Sequence, residues 1–254
     1  MASYHKKTSI MKNRLIKKTI PLVFWASLWS LAAFFIGNDL ILPGPWAIGR
    51  QMINLLLDGA YWSSFFTSFG KIILGLGLGL FLGLILGYLS YLSGGFRLLL
   101  DPFIGLIKTT PVAALTILLL VWISSDKLSL ALIVMVLLPS VYQDILNGLD
   151  RLDPNLLEVS KVYRPSWKNS FKYLHWDQIL LSLKENLTYS LGFAWKAGIS
   201  GEILAQAYNS LGNRIYQAKI YLNIAELFAH ILLLALAASL MEKVILSRWR
   251  KNGN

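Results

Sequence analysis

The stretch Ile72-Ile73-Leu74-Gly75-Leu76-Gly77-Leu78-Gly79-Leu80-Phe81-Leu82-Gly83-Leu84-Ile85-Leu86-Gly87-Tyr88 continues to Phe96 without a single charge. A bilayer core about 30 Å thick needs about 20 mostly apolar residues per helix, so this run alone is long enough to cross one. The rest of the chain agrees with it. Residues of the AVILMFWYC set make up 56% of the 254 positions, and charged residues only 15%. Counting the 19 glycines, the apolar share is about 63%, against roughly 45–50% in a soluble domain. A soluble fold of this size has no interior large enough for that, which excludes a disordered chain and an ordinary soluble enzyme. There is no cysteine, so disulfide frameworks, thiol catalysis and Cys-ligated metal centres are excluded. His5, His175 and His230 show no metal-ligand spacing, and no metal site is expected. The net charge of +11 would suggest nucleic acid in a soluble protein. Beside so much apolar sequence it marks the basic edges of a membrane protein.

Working outward from Ile72–Phe96, whose helix should begin near Phe65, five further runs read as spans. They are Thr19–Gly37, Thr109–Ser125 (from about Asp101), Leu128–Gln143, Asn186–Gly201 and Leu227–Met241 (from about Tyr221). The first follows a basic leader over residues 1–18. It is longer than a signal-peptide apolar region and no A-x-A cleavage site follows it, so it is read as permanent. Lys and Arg set the orientation. With the amino terminus inside, only Arg50, Lys127, Arg214 and Lys219 fall on external segments, while Lys71, Lys108 and Lys196 lie within spans. The expected fold is therefore an all-α integral membrane protein of the cell membrane. It has six transmembrane helices, both termini cytoplasmic, and one transmembrane domain over residues 1–254.

Three features between and within the spans carry more information. Gly75, Gly79, Gly83 and Gly87 recur every four residues, which lets another helix approach closely enough to offset their helix-propensity cost of about 1 kcal/mol each. Pro102 and Pro111 are expected to kink the third span, with the hydroxyls of Thr109 and Thr110 satisfying freed carbonyls. The inside loop over residues 150–184 is far longer than the other cytoplasmic connection. Asp153-Pro154 opens it as a helix start, a short helix follows through Leu156, Leu157, Val159, Ser160 and Tyr163, and Arg164-Pro165 ends it. Ser166 then caps a second short helix over Trp167–Leu174. On the external side, Leu42-Pro43-Gly44-Pro45 is a rigid turn leading into an interfacial helix over Trp46–Leu57.

At this loop the chain resembles the permease subunits of binding-protein-dependent ABC importers, in the nitrate/sulfonate/taurine/pyrimidine-precursor branch. The resemblance covers nearly the whole chain. It rests on Leu42-Pro43-Gly44-Pro45, on Ser68-Phe69-Gly70-Lys71 followed by Gly75, and on Asp101-Pro102 with Lys108-Thr109-Thr110-Pro111. Further along it rests on Asn147-Gly148-Leu149 with Asp153-Pro154 and Glu158-Val159-Ser160, and on Ala194-Trp195, Gly201-Glu202 and Leu211-Gly212. It departs at Arg164, where the family has glycine, and at Trp176-Asp177, where it has Leu-Pro. Arg164-Pro165 is expected to stop the helix by a different backbone device from glycine's positive φ. The resemblance implies cytoplasmic coupling helices between spans four and five. Asp153, Pro154, Leu157, Glu158, Val159, Ser160, Tyr163 and Arg164 would then meet an ABC ATPase. It also implies two ATPase copies, a second permease copy forming a homodimer, and an external substrate-binding protein docking near Pro43–Leu57 and Tyr208–Lys219.

No G-x-x-x-x-G-K-[ST] loop is present, so ATP and Mg belong on the partner ATPase and no cofactor is expected on this chain. Charged or polar groups within spans are costly unless they face protein or water, which makes Lys71, Lys108, Thr110, Asp144, Trp195, Lys196 and Glu202 the candidate translocation path. Three cations against two anions point to an anionic or polar heterocyclic solute. Two other classes compete. An intramembrane enzyme needs a His/Asp/Glu constellation on facing helices, and a secondary transporter needs no docking loop and favours internal repeats.

Overall fold

The computed structural model describes residues 19–21 and 23–251; the basic leader lies outside the described residues. Among them the chain is helical throughout. The elements are α1 (Thr19–Ile36), α2 (Pro45–Leu57), α3 (Gly59–Leu92), α4 (Gly94–Thr109), α5 (Val112–Leu120), α6 (Ser125–Asp150), α7 (Pro154–Tyr163), α8 (Trp167–Ser170), a π-helical segment (Phe171–His175), α9 (Trp176–Ala205), α10 (Leu211–Ile220) and α11 (Ile224–Lys251). The residues fall into two compact units. One comprises the segment up to Gly59 with Gln217–Leu233, the other Ala60–Tyr216 with the segment from Leu234.

In the first unit, Trp29 of α1 stands edge-on to Phe228 of α11 at 5.4 Å and donates its indole N–H to the Pro43 carbonyl at 3.1 Å. The Leu42–Pro45 turn is thereby tied to α1. Pro45 opens α2 at its first position, where a missing N–H costs nothing. Of α2's apolar residues, Ile48 and Leu55 are buried, while Trp46, Ile53 and Leu57 are exposed, as suits a helix lying at an interface.

The second unit is built on three helices packed through small residues. A Cβ added at Gly75, Gly83 or Gly87 would come within 2.6–2.9 Å of Ile133, Val141 or the Tyr142 carbonyl, and one at Gly79 within 3.0 Å of Leu137. The glycine row of α3 is thus the face on which α6 lies. The offset is constant: Gly75 meets Ile133, Gly79 meets Leu137, Gly83 meets Val141 and Gly87 meets Ile145. Each step of four along α3 is a step of four in the same direction along α6, so the two helices run parallel and in register. By contrast α9 runs antiparallel to both. Gly198 meets Ile133 and Ile72, Gly148 meets Ser182, and Ser68 bonds to Glu202.

Parallel neighbours require the chain to return the full length between them. That return is α4 and α5, and it is not the kinked span expected for Asp101–Ser125. The helix breaks completely at Thr110-Pro111, and its halves lie 105° apart. Pro111 cannot donate and pushes Thr110 to extended backbone (φ −75°, ψ 128°). The hydroxyls of Thr109 and Thr110 bond the carbonyls of Gly105 and Leu106 at 3.1 and 2.7 Å, not the Ile107 carbonyl that Pro111 frees, which takes the Thr110 N–H at 3.3 Å instead. Pro102 and Pro139 sit inside α4 and α6 without breaking them.

Among the described residues four helices, α1, α3, α6 and α11, are long and apolar enough to cross a membrane, and five segments if α4–α5 counts as one span. With 30 residues, α9 is about 45 Å long but more polar. Its polar groups Asn186, Ser190 and Glu202 are buried against protein, so it has less need of an apolar surface.

Candidate functional site

The basic loop carries the first candidate site. Asp153 caps α7 by accepting the Asn155 N–H at 2.8 Å, with Pro154 at the first helical position. Leu156, Val159, Val162 and Tyr163 are exposed, Val162 and Tyr163 to about 80%, and Glu158 is exposed beside them. Leu157 does not join that outward set. It packs back on the buried cluster of Tyr88, Val141, Ile145, Leu149, Leu152 and Ile179, and Ser160 is half-buried with its hydroxyl on the Leu157 carbonyl. One side of α7 is therefore anchored to its own chain, and the other presents apolar side chains with no cover among the described residues.

At the end of α7 the expectation for Arg164 is corrected. Its backbone is left-handed, φ 42° and ψ 58°, and its N–H closes on the Ser160 carbonyl at 3.0 Å. This is the device glycine ordinarily supplies at a helix C-terminus, adopted here by an arginine at some conformational cost. The second short helix is also not a separate element. α8 passes through the π-helical segment directly into α9, without a side-chain cap from Ser166. Aromatic packing fixes this junction: Trp167 stacks on Phe171, Phe171 stands edge-on to Tyr88 at 5.4 Å, and His175 shares a 3.0 Å hydrogen bond with Tyr88. Burial pushes the His175 imidazole below its ordinary value, so it is neutral near pH 7. Arg97 completes this end of the unit by pairing with Asp150 at 3.0 Å and Asp101 at 3.6 Å.

A second site lies where α4 and α5 break apart. A cavity of about 280 Å³ opens between the break, α6 and α9, lined among others by Lys108, Thr110, Ser140, Gln143, Asp144, Tyr189 and Phe193. Three of the seven expected path residues, Lys108, Thr110 and Asp144, meet here. Lys108 donates to Gln143 Oε1 at 2.6 Å. Asn186 donates from Nδ2 to Ser140 at 3.0 Å and to Asp144, and its Oδ1 accepts the Ser190 hydroxyl. That last bond sets which end of the amide faces Asp144.

The other four do not join it. Trp195 is buried against Phe69, with its indole N–H unpaired. Lys196 is exposed beside the Phe193 ring. Glu202, 1% exposed, is enclosed at the opposite end of α9. Its Oε2 accepts Ser68 Oγ at 2.7 Å and the Gly212 N–H at 3.2 Å, and Ser68 in turn accepts the Leu211 N–H at 2.9 Å. Lys71 is close enough to act on this carboxylate electrostatically. The first turn of α10 thus closes on a carboxylate, which its N-terminal dipole favours. Gly212 is required there, since a Cβ would come within 2.6 Å of the Ile203 nitrogen.

Sequence reasoning missed Ser140, Gln143, Asn186 and Ser190 in the groove. The available signal was the helical spacing of Ser140 with Asp144 and of Asn186 with Ser190 inside otherwise apolar runs.

Residues 75–247, from the glycine row of α3 into α11, match the family described as the binding-protein-dependent transport system inner membrane component. The chain belongs to that family. It is 26% identical to SsuC of Bacillus subtilis (strain 168), named as a candidate aliphatic sulfonates transport permease protein, over 97% of this chain and 90% of that one. It is 23% identical to the taurine transport system permease protein TauC of Escherichia coli (strain K12), over 84% and 80%. A crystal structure of an amino acid ABC transporter with histidines shares the fold, with a TM-score of 0.56, 17% identity, and 76% and 93% of the two chains covered.

This chain is therefore the permease of an ABC importer in the inner membrane. It is a transport component that works with a separate ATPase and a substrate-binding protein, and neither an intramembrane enzyme nor a secondary transporter.

Proposed function

We propose that this permease crosses the membrane six times with both termini in the cytoplasm, works as a homodimer with two ATPases, and moves a small sulfonate inward. Three features support six crossings. The α4–α5 pair fills the return between two parallel helices, α9 runs antiparallel to both, and the basic residues gather at the α7 end. Relatives named for aliphatic sulfonates and for taurine support the cargo class.

The observation that carries the reading is α7: a capped helix in a basic loop, anchored by Leu157 and exposing Leu156, Val159, Val162 and Tyr163. An exposed apolar face of this kind marks a protein interface. Glu158 makes the polar contact to the ATPase, and Arg164 ends the docking helix. Closure of the ATPases pulls on α7. The pull passes through the Tyr88–His175 junction into α9, and it needs to supply only a few kcal/mol between inward- and outward-open states. Glu158→Lys is expected to abolish ATP-driven uptake while the permease still inserts and folds. Normal uptake by that variant overturns the assigned contact.

A further inference from the structure

The cavity at the helix break is lined by one cation, Lys108, and one anion, Asp144, with Glu185 on the adjoining pocket that shares Ser140, Asp144 and Tyr189; this is not the surplus of cations that the span charges suggested together. Lys71 and Lys196 lie elsewhere, which leaves Lys108 and Asp144 facing the same cavity. They do not neutralise each other. Among the described residues neither has an opposite charge within 4 Å. Lys108 is held by the neutral Gln143, and Asp144 by the neutral Asn186. Asn186 is fixed in turn by Ser140 and Ser190. Lys108 is exposed and Asp144 half-buried; charges between apolar helices are costly unless a ligand or water meets them, and here each pairs with a neutral amide. Asp144 lies six residues before the end of α6, about 9 Å along the helix, so the cavity sits in the half of the unit nearest α7. Its volume of about 280 Å³ falls just below the usual range of drug-sized pockets and suits a small solute.

We propose that this groove is a binding station for a small zwitterion, with the anionic group on Lys108 and the ammonium on Asp144, and that Asp144 selects such solutes over simple anions. The proposal rests on the reading of the chain as a sulfonate importer permease and narrows the cargo to an amino-substituted member of that class. Lys108 recognises the anion in either case. Only Asp144 distinguishes a solute that also carries an ammonium, because a charge-assisted hydrogen bond is among the stronger contacts a small ligand makes. Tyr189 lines the same cavity and offers its hydroxyl to the anionic group.

The test is equilibrium titration of the purified permease–ATPase complex, without binding protein, with taurine and with ethanesulfonate, which lacks the ammonium. The wild type is expected to bind taurine at least about tenfold more tightly. Asp144→Asn should bring taurine down to the ethanesulfonate level and leave ethanesulfonate within about twofold, while Lys108→Gln weakens both. Equal wild-type affinities, or an Asp144→Asn effect equal for both ligands, overturn the proposal. The wild-type comparison stands even if the variants fail to assemble. Uptake by vesicles carrying the complete importer separates the two levels. Sulfonate uptake without taurine preference in the complex sinks the zwitterion site alone, and absence of any sulfonate uptake sinks the cargo reading as well.

Discussion

Two carboxylates of this permease, Asp144 on α6 and Glu202 on α9, interrupt apolar helices and are met in opposite ways. Glu202 is sealed. Ser68 and the first turn of α10 converge on one oxygen, and the approach is so close that position 212 admits only glycine. Asp144 faces a cavity, is held from one side by a single amide, and has Lys108 across the same opening without touching it. The sealed carboxyl group joins α3, α9 and α10, and its hydrogen bonds are spent on structure. The open one keeps its charge available. The sequence alone ranks both as path residues, because both are acids within apolar helices. What separates them is whether backbone N–H groups or a solute-sized space surrounds them.

The comparison can be broken first at Glu202. Glu202→Ala removes the acceptor for Ser68 and Gly212 and leaves a cavity, and is expected to cost on the order of 3 kcal/mol. Thermal unfolding of the purified complex should show a clear loss, and an unchanged transition would mean that the sealed cluster is not structural. Asp144→Asn is expected to cost under about 1 kcal/mol in the same assay, because an amide still pairs with Asn186, while shifting ligand selectivity as described above. A large stability loss with unchanged selectivity would erase the distinction between the two acids. The smallest effect belongs to the backbone. Arg164→Gly relieves the left-handed strain at the expense of glycine's greater chain entropy, for a net gain of roughly 0.5 kcal/mol, and should leave uptake intact. Loss of transport in that variant would show that the Arg164 side chain itself contacts the ATPase.

What the sequence disclosed was local. The uncharged run after Lys71, the glycine row and the Asp153-Pro154 helix start each depend on neighbouring residues alone, and the structure puts each to use. Pro111 was legible as a disruption but not in its extent. Whether a proline kinks or severs a helix depends on what meets the carbonyl it leaves, and here the Ile107 carbonyl takes the Thr110 N–H while α4 and α5 both pack on α6 across a 105° break. Arg164 was misread because a non-glycine residue with positive φ is uncommon and leaves no mark in the sequence. Leu157 was read as outward-facing with the rest of α7. Its burial follows from α3, α6 and α9 meeting beneath it, which a helical pattern of ten residues cannot reveal. The groove is the least legible part. Lys108, Asp144 and Asn186 are separated by 36 and 42 positions, and only the packing of α4 and of antiparallel α9 against α6 brings them to one level.

The central claim is that α7 is a cytoplasmic lever engaged by a separate ATPase, and the absence of native cysteine allows a single reporter to test it. Val162→Cys, on the exposed face of α7, should react with a membrane-impermeant thiol reagent only from the cytoplasmic side. It should be protected when the ATPase is bound. Labelling from outside intact cells, or labelling indifferent to the ATPase, would contradict the account.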